Sequence, residues 1–219
     1  ADSTRKLFEA EMAPNVDKWA EQGIVDRAFW KTVGQQGVMG GAIAEDYGGS
    51  GGDIAFDAIA IYEQGRVGDT GWGYGIQTIV IHYINAYGSE EQKSKWLPRL
   101  ISGDSVAAIA MTEPGTGSDL QNVQTYAEKD GNHYKINGSK IFITNGHTAD
   151  LIVVVAKTDR GAGAKGVSLI VLETEEAEGF RRGRNLKKLG MKGSDTAELF
   201  FENVRVPTAN LLGPEEAHP

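Results

Sequence analysis

Two short apolar segments, each running into a threonine and then a turn, contain the residues of this chain best suited to bind a ligand. The first, residues 107–119, reads Ala-Ala-Ile-Ala-Met-Thr-Glu-Pro-Gly-Thr-Gly-Ser-Asp, and the second, residues 138–146, reads Gly-Ser-Lys-Ile-Phe-Ile-Thr-Asn-Gly. Each apolar run has the composition of a buried strand. We therefore expect hydroxyls and free backbone N–H groups to project where the two strands stop, an arrangement that would hold a flat ligand with polar edges.

The turn after the first segment contains a Gly-x-Gly sequence. Gly115 and Gly117 are expected to allow positive φ and a close approach of the backbone to a ligand. Consecutive N–H groups in such a loop can bind an anion, and the hydroxyls of Thr116 and Ser118 would be additional donors. Taken alone, the sequence is typical of an ordinary exit from a strand, and Leu120 occupies the place of the third glycine of a dinucleotide-binding motif. Only the combination of the two segments is specific.

Other catalytic chemistries find no support in the sequence. The chain has no cysteine, which excludes disulfides, thiolate metal sites and a cysteine nucleophile. His133 and His147 have no partner at a metal-ligand spacing, so we expect no metal site. Ser118 and Ser139 lack the Gly-x-Ser-x-Gly context of a hydrolase nucleophile.

Composition indicates a globular protein outside the membrane. Hydrophobic residues make up 40% and charged residues 24% of the 219 positions, a balance that allows a buried core. No apolar run approaches the roughly 18 residues of a membrane span, and the net charge of −8 argues against a nucleic-acid partner. The charged N-terminus lacks the apolar stretch of a signal peptide, so we expect an intracellular protein that is not secreted.

The first hundred residues have the apolar periodicity of helices. The predicted helices cover residues 7–19, interrupted at Pro14, then 29–33, 54–67, 71–87 and the residues after the capping-box pattern Ser89-Glu-Glu-Gln92. The composition changes at Ser102-Gly103-Asp104. We therefore place a domain boundary at about residue 105, which gives a helical domain over 1–105 and a β domain over 106–219.

Beyond the boundary, short runs rich in Val, Ile and Leu alternate with glycine and Asx turns. One hairpin is predicted around Asp130-Gly131-Asn132. The predicted strands are 106–111, 123–129, 133–136, 151–156, 166–172, 197–201 and 204–206. The expected fold class is therefore α+β, with an N-terminal all-α helical domain followed by a small β-barrel or sandwich domain.

Three features have both a plain structural and a functional interpretation. The glycine-rich loop 45–53 resembles a phosphate cradle, but no Gly-Lys-Ser/Thr follows, which favours a connection between helices. His82, on an apolar helix, is expected to be a core residue whose hydrogen bonds are satisfied. A basic segment is expected to be solvated surface, with attraction of a polyanionic ligand as the alternative. It contains Arg181, Arg182, Arg184, Lys187, Lys188 and Lys192.

Three motifs in order give the chain a resemblance to one family. Residues 107–119 and 138–146 are followed by Leu-Gly-Met-Lys-Gly-Ser-Asp-Thr-Ala-Glu-Leu-Phe-Phe-Glu-Asn-Val at 189–204. Together they resemble the acyl-CoA dehydrogenases over essentially the whole chain, and they are most similar to the long-chain members. The resemblance implies an enzyme of fatty acid β-oxidation that uses FAD to oxidise fatty acyl-CoA thioesters to trans-2-enoyl-CoA. It also implies an electron-transfer flavoprotein as the acceptor, a homotetramer, and a location in the bacterial cytoplasm or the mitochondrial matrix.

By this resemblance the two segments would hold the flavin. Thr112 would meet the polar edge of the ring system. Gly117 and Ser118 would lie near the pyrophosphate, and Ser118 would also contact the acyl-CoA substrate. Phe142 stands where many members have a tryptophan packed on the ring, and Thr144 would reach its N5 atom. The resemblance assigns FAD binding to Ile109, Ala110, Met111, Thr112, Gly117, Ser118, Phe142, Ile143 and Thr144.

In one respect the sequence departs from the family. Members continue into a C-terminal helical bundle that supplies the glutamate base, and we expect this bundle to be absent from the 219 residues, which end at Pro219. We therefore assign no catalytic residue: Glu113 is a motif residue, and the base is expected beyond Pro219. The 219 residues alone are expected to be inactive and to bind FAD weakly or not at all.

Two other functional classes remain open. An acyl-CoA oxidase or a flavin monooxygenase on the same scaffold would react with oxygen in place of a flavoprotein acceptor. A non-catalytic binding or assembly module would keep the fold without the chemistry.

Overall fold

Helices occupy the first part of the chain and strands most of the rest, which confirms the predicted α+β class. The computed structural model describes residues 1–69, 71–175 and 177–213. They form two units: a helical unit, Ala1–Val106 with Lys187–Asp195, and a β unit, Ala107–Leu186 with the described residues from Thr196 onward. Of the β domain predicted over 106–219, residues 214–219 lie outside the described residues. A division near residue 105 into independently folding domains stays a prediction.

Six α-helices lie in the described part of the helical unit. They are α1 Asp2–Leu7, α2 Val16–Gln22, α3 Arg27–Gln35, α4 Ala55–Arg66, α5 Tyr74–Tyr87 and α6 Glu90–Ile101. The helix predicted through Pro14 is broken as expected, because a π-helical turn at Phe8–Met12 and a 3-10 turn at Ala13–Asn15 separate α1 from α2. Proline has no N–H for the helical ladder and restricts the residue before it.

An aromatic cluster forms the core of the helical unit. Trp72 packs edge-on against Phe8, Phe29 and Trp30, with ring centroids 5.6, 5.3 and 5.6 Å away. All four rings are buried, and such edge-to-face pairs are favourable beyond the area that they bury. Phe29, Trp30 and Val33 are the apolar residues that predicted a helix over 29–33, and all three lie in this core.

His82 has a hydrogen-bond partner as predicted, but it lies at the margin of the core and not inside it. Its Nε2 lies 2.8 Å from a carboxylate oxygen of Asp57, and its side chain is 33% exposed. The buried Asp57 also accepts a hydrogen bond of 2.5 Å from the hydroxyl of Tyr74. Burial and this carboxylate raise the pKa of Tyr74 far above its ordinary value. The three side chains tie α4 to α5.

Seven strands in the described residues form one curled sheet. They are β1 Ala107–Ala110, β2 Tyr126–Asp130, β3 His133–Thr144, β4 Leu151–Lys157, β5 Val167–Glu173, β6 Phe180–Asn185 and β7 Thr196–Pro207. β4 pairs in parallel with β1 and antiparallel with β5. β2 and β3 form the predicted hairpin, and β7 pairs antiparallel with both β3 and β6. A bridge between Tyr126 and Lys157 joins β2 to β4 and curls the sheet.

Two predictions for the strands are corrected by the structure. The runs 197–201 and 204–206 belong to one strand, β7, with a bulge at Glu202 and Asn203 opposite Asn137. The basic segment from Arg181, predicted to be loop-rich, contains β6 at one end of the strand order. The guanidinium of Arg181 lies 4.2 Å from the centroid of the Phe200 ring. Arg181 is exposed and Arg182 is partly buried, so two consecutive cations replace the alternation of apolar and polar residues that indicates a strand. The long stem of an arginine nevertheless covers apolar surface.

Ser89 and Gln92 form the predicted capping box of α6. The Ser89 hydroxyl accepts a hydrogen bond of 3.2 Å from the Gln92 N–H, and the Gln92 side chain accepts one of 2.9 Å from the Ser89 N–H. We expect Ser89→Ala to lower the free energy of unfolding by about 1 kcal/mol, because a helix N–H loses its acceptor. Ser94→Ala, at an exposed position of the same helix, is the control and should leave stability unchanged or slightly higher. Denaturant unfolding followed by helical circular dichroism measures both, and equal stability of the two variants would contradict the capping role.

Candidate functional site

The two segments singled out from the sequence lie side by side in the β unit. The Ile141 N–H donates to the Thr112 carbonyl at 2.9 Å, and the Asn145 amide donates to the Ala107 carbonyl at 3.0 Å. The segments therefore run antiparallel. Their threonines were expected to lie together at one edge of the sheet, and they do not. Thr112 lies beside Ile141, three residues before Thr144 in the chain.

Phe142, which is predicted to pack on the ring system, is an exposed residue of the β unit. Its side chain is 63% exposed, and its φ is +61°, a value that is strained for a bulky residue. The register between β3 and β7 shifts between Lys140 and Ile143, so Phe142 sits in a bulge. Bulges re-aim side chains, and this one turns an aromatic ring away from the core.

The remaining strand residues of the predicted site divide by burial. Ala110 and Ile143 belong to the hydrophobic core of the β unit, so they can offer a ligand only their backbone groups. Ile109, Met111 and Thr112 are only partly buried, as is Thr144. Their side chains are accessible to a ligand. Alternation along a strand places Ile109 opposite the buried Ala110 and Thr144 opposite the buried Ile143.

A tight turn follows the first segment. The Glu113 N–H donates to the Thr116 carbonyl at 2.8 Å, and the Thr116 N–H donates back at 3.1 Å. The buried Thr116 hydroxyl donates to the Asn122 carbonyl at 3.0 Å. The prediction that this hydroxyl serves a ligand was therefore wrong, because it stabilises the loop itself.

The two glycines of this loop also differ from expectation, since neither Gly115 nor Gly117 has a positive φ. A Cβ atom at Gly117 would meet nothing within 4 Å, so packing inside the chain does not require glycine there. Gly117 and Ser118 are exposed, and within the described ranges their N–H groups have no hydrogen-bond acceptor. They remain available to an anion.

The residue that sequence reasoning missed is Lys140. It is 1% exposed, and its Nζ donates to the Met111 carbonyl at 2.8 Å and to Glu113 Oε1 at 2.9 Å. The Glu113 carboxylate also accepts hydrogen bonds from the N–H groups of Gln124 at 2.6 Å and Thr125 at 2.9 Å. The only signal in the sequence was a lysine inside the apolar run of β3.

Burial alone would raise the pKa of the Glu113 carboxyl, but hydrogen bonds from Thr125, Gln124 and Lys140 outweigh it and hold this pKa below its ordinary value. Burial lowers the pKa of Lys140, and Glu113 offsets part of that effect. Both carboxylate oxygens of Glu113 accept hydrogen bonds, and the pKa of this carboxyl is low. These two properties support the interpretation of Glu113 as a structural residue and not a proton acceptor.

Thr125 also meets β3 directly. Gly138 has a φ of +148°, and a Cβ atom at this position would lie 2.7 Å from the Thr125 Cα. Glycine is therefore required here, both for its φ and for the close approach of the two backbones. The contact holds the segment before β2 against β3, two residues from Lys140.

The turn after the second segment is held by Arg182, a member of the predicted basic segment. Its guanidinium donates to the carbonyls of Gly146 at 3.2 Å and Ala149 at 2.5 Å. Arg184 pairs with Glu198 at 3.2 Å. Three other members of the segment, Lys187, Lys188 and Lys192, belong to the helical unit. The segment is thus divided between the two units, and its attraction of a polyanion stays a prediction.

Across the described ranges, no three His, Asp or Glu side chains converge in a way that would hold a metal ion. None of the helices described here has the length and apolar character that crossing a membrane requires.

Acidification tests the Glu113–Lys140 pair. The ionised Glu113 stabilises the fold above the ordinary carboxyl pKa of 4.5, and this contribution is lost as the pH falls through the lower pKa of the folded state. We expect Glu113→Gln to lower the free energy of unfolding by about 3 kcal/mol at neutral pH, because Lys140 loses its anion. The difference from the wild type should shrink as the pH falls below 4.5. Denaturant titrations over this range measure it, with Glu128→Gln at an exposed position of β2 as the control. A difference that stays constant with pH would contradict the assignment.

Comparison with known proteins matches both units to one family. Residues 1–104 match the acyl-CoA dehydrogenase N-terminal domain, and residues 108–204 match the acyl-CoA dehydrogenase middle domain. Among curated proteins, the mitochondrial long-chain specific acyl-CoA dehydrogenase of Sus scrofa is 48% identical over 217 residues, which cover 98% of this chain and 50% of the relative. The chain spans about half the length of the curated relatives that it matches.

Solved structures give the same result. The acyl-CoA dehydrogenase of Geobacillus kaustophilus superimposes with a TM-score of 0.95 at 46% identity, over 99% of this chain and 58% of that one. A glutaryl-CoA dehydrogenase of Mycobacterium smegmatis, solved in complex with FADH2, superimposes with a TM-score of 0.89 at 33% identity, over 99% of this chain and 54% of that one. The chain therefore belongs to the acyl-CoA dehydrogenase family, of which it carries the N-terminal and middle domains.

Proposed function

We propose that the protein is an FAD-dependent acyl-CoA dehydrogenase that converts a fatty acyl-CoA thioester to its trans-2-enoyl-CoA. The observation that carries the proposal is Phe142, an exposed aromatic ring held at a φ of +61° beside the Thr112 segment. Strain of this kind persists only where the surrounding structure enforces it, and it concentrates at ligand sites. When bound, FAD would supply the acceptor for the hydride that leaves the substrate.

The residues present fit a flat ring system. The exposed Phe142 side chain offers an aromatic face for offset packing. Thr112 lies beside Ile141, and Thr144 lies three residues further along β3. Their hydroxyls would therefore donate to different positions along one polar edge. The buried Ala110 and Ile143 would contribute backbone groups.

The loop after β1 fits the phosphate part of the same ligand. Gly117 and Ser118 are exposed, so their N–H groups are accessible to a ligand. A Cβ atom added at Gly117 would have no neighbouring atom within 4 Å, so there is open space beside this residue. Successive backbone N–H groups bind phosphate oxygens well. The Ser118 hydroxyl would in addition donate to the acyl-CoA substrate.

No described carboxylate is assigned the role of the base that removes the α-proton. Glu113 has both oxygens occupied and a pKa below its ordinary value, which makes it a poor proton acceptor. The expectations that the base lies beyond Pro219, and that the 219 residues alone are inactive, stay predictions.

We propose the substrate, the electron acceptor and the oligomeric assembly from the membership of the chain in this family. The Sus scrofa relative is named as long-chain specific and mitochondrial, so we assign long-chain acyl-CoA thioesters as substrates and the mitochondrial matrix or bacterial cytoplasm as the location. An electron-transfer flavoprotein would take up the electrons. The family's homotetramer is the proposed assembly.

The protein purified from its complete gene tests the proposal. We expect it to carry FAD, and its visible absorbance to bleach on anaerobic addition of a long-chain acyl-CoA with formation of the trans-2-enoyl-CoA. Reoxidation by an electron-transfer flavoprotein should be faster than reoxidation by oxygen, whereas the reverse order would identify an oxidase or monooxygenase. A purified protein that neither carries nor takes up FAD would overturn the proposal.

Substitutions of Phe142 separate its strain from its binding role. Phe142→Gly relieves the positive φ and should unfold with a free energy about 1 kcal/mol higher than that of Phe142→Ala, which keeps the strain. Both should bind FAD up to about tenfold more weakly than the wild type, because the aromatic contact is lost. Phe142→Trp should retain binding, and Leu189→Ala, at a fully exposed position of the helical unit, is the control. Flavin fluorescence titrations and denaturant unfolding measure these effects. Wild-type affinity in Phe142→Gly would remove Phe142 from the site.

A further inference from the structure

Three consecutive residues of the predicted flavin-binding segment are hydrogen-bonded to two consecutive residues of β3. The Met111 carbonyl accepts a hydrogen bond of 2.8 Å from Lys140 Nζ, and the Thr112 carbonyl accepts one of 2.9 Å from the Ile141 N–H. The Glu113 carboxylate then accepts a second hydrogen bond from Lys140, at 2.9 Å. The backbone on both sides of the Thr112 side chain is thereby anchored to the strand that carries Phe142.

The same carboxylate is anchored from its other side. Glu113 Oε2 accepts from the Gln124 N–H at 2.6 Å, and Oε1 accepts from the Thr125 N–H at 2.9 Å. Thr125 in turn packs against Gly138, where a Cβ atom would lie 2.7 Å from its Cα. The contacts close a ring from Lys140 through Glu113 and Thr125 back to β3 at Gly138.

Removing these two charges from water costs free energy, so stability alone does not explain the buried ion pair. The side chains of Lys140 and Glu113 are 0% and 4% exposed, so both charges are removed from water. Apolar residues of similar volume often stabilise a fold as well as such a pair or better. What a buried pair with directional hydrogen bonds does add is one defined geometry, because the ammonium group and the carboxylate must find all their partners at once.

We infer that the Glu113–Lys140 ion pair is a positioning device for the flavin-binding segment, setting the direction of the Thr112 side chain and of the Gly117–Ser118 loop relative to Phe142. The inference rests on the proposed function. Both side chains are buried, and their Nζ, Oε1 and Oε2 atoms are already hydrogen-bonded within the chain, so both act through the backbone that they hold. Removing the pair should therefore change the environment of the bound flavin and not only the stability of the β unit.

The double variant Glu113→Gln with Lys140→Met tests this in the protein expressed from its complete gene, since it removes both charges and leaves no unpaired ion. The matched control is Asp130→Asn with Lys135→Met, which removes a partly exposed ion pair of 2.9 Å that involves the same strand. FAD affinity, the visible circular dichroism of bound FAD and its reduction potential are measured beside denaturant unfolding. Lys140→Arg, which keeps the cation, is the second variant if the double variant does not fold.

We expect the folded double variant to bind FAD about tenfold more weakly, with an altered visible dichroism and potential, while the control matches the wild type. Lys140→Arg should be folded and show a smaller change in the same direction. A folded double variant, or a folded Lys140→Arg, with wild-type affinity, dichroism and potential would overturn the inference and leave the proposed function intact. Failure of the wild type to bind FAD would overturn both.

Discussion

The buried ion pair between Glu113 and Lys140 is the constraint on which the candidate site depends. Neither charge reaches water, so the folded state is favourable only if the surrounding backbone supplies every hydrogen bond that the two groups require. Those partners come from Met111, Gln124 and Thr125. Three separate stretches of chain supply these partners, and the arrangement holds the two candidate ligand-binding segments side by side.

The site also retains strain that a sheet built for stability would avoid. Phe142 has a positive φ in a bulge and leaves most of its ring exposed, whereas its neighbour Ile143 returns to the core. A regular strand at this position would alternate without interruption and direct the aromatic ring and the threonine differently. The bulge therefore separates residues that stabilise the β unit from residues that are accessible to a ligand, which the proposed function identifies as the flavin.

Buried acids in the helical unit obey the same rule as Glu113. Glu63, whose side chain is 2% exposed, pairs with Arg5 at 3.0 Å and with Arg66 at 3.4 Å. Asp57 is hydrogen-bonded to Tyr74 and His82. A buried carboxylate with partners on another element fixes how the two elements pack, because losing either partner leaves a charge or polar group without compensation. Each unit thus uses a few ionised groups to select one packing among those that its apolar residues alone would allow.

The sequence by itself determined the order of helices and strands, the capping box at Ser89, the hairpin at Gly131 and the family motifs. These signals are local: they depend on periodicity, turn chemistry and residues within a few positions of one another. β6 escaped prediction because arginines occupy positions that a strand pattern assigns to apolar residues. Only the tertiary structure decided that Thr112 lies beside Ile141, that Phe142 is exposed, and that Lys140 is buried against an acid 27 positions away. The sequence shows a lysine in a strand but not whether its side chain faces water or a carboxylate. That depends on how residues far apart in the chain pair in the folded protein.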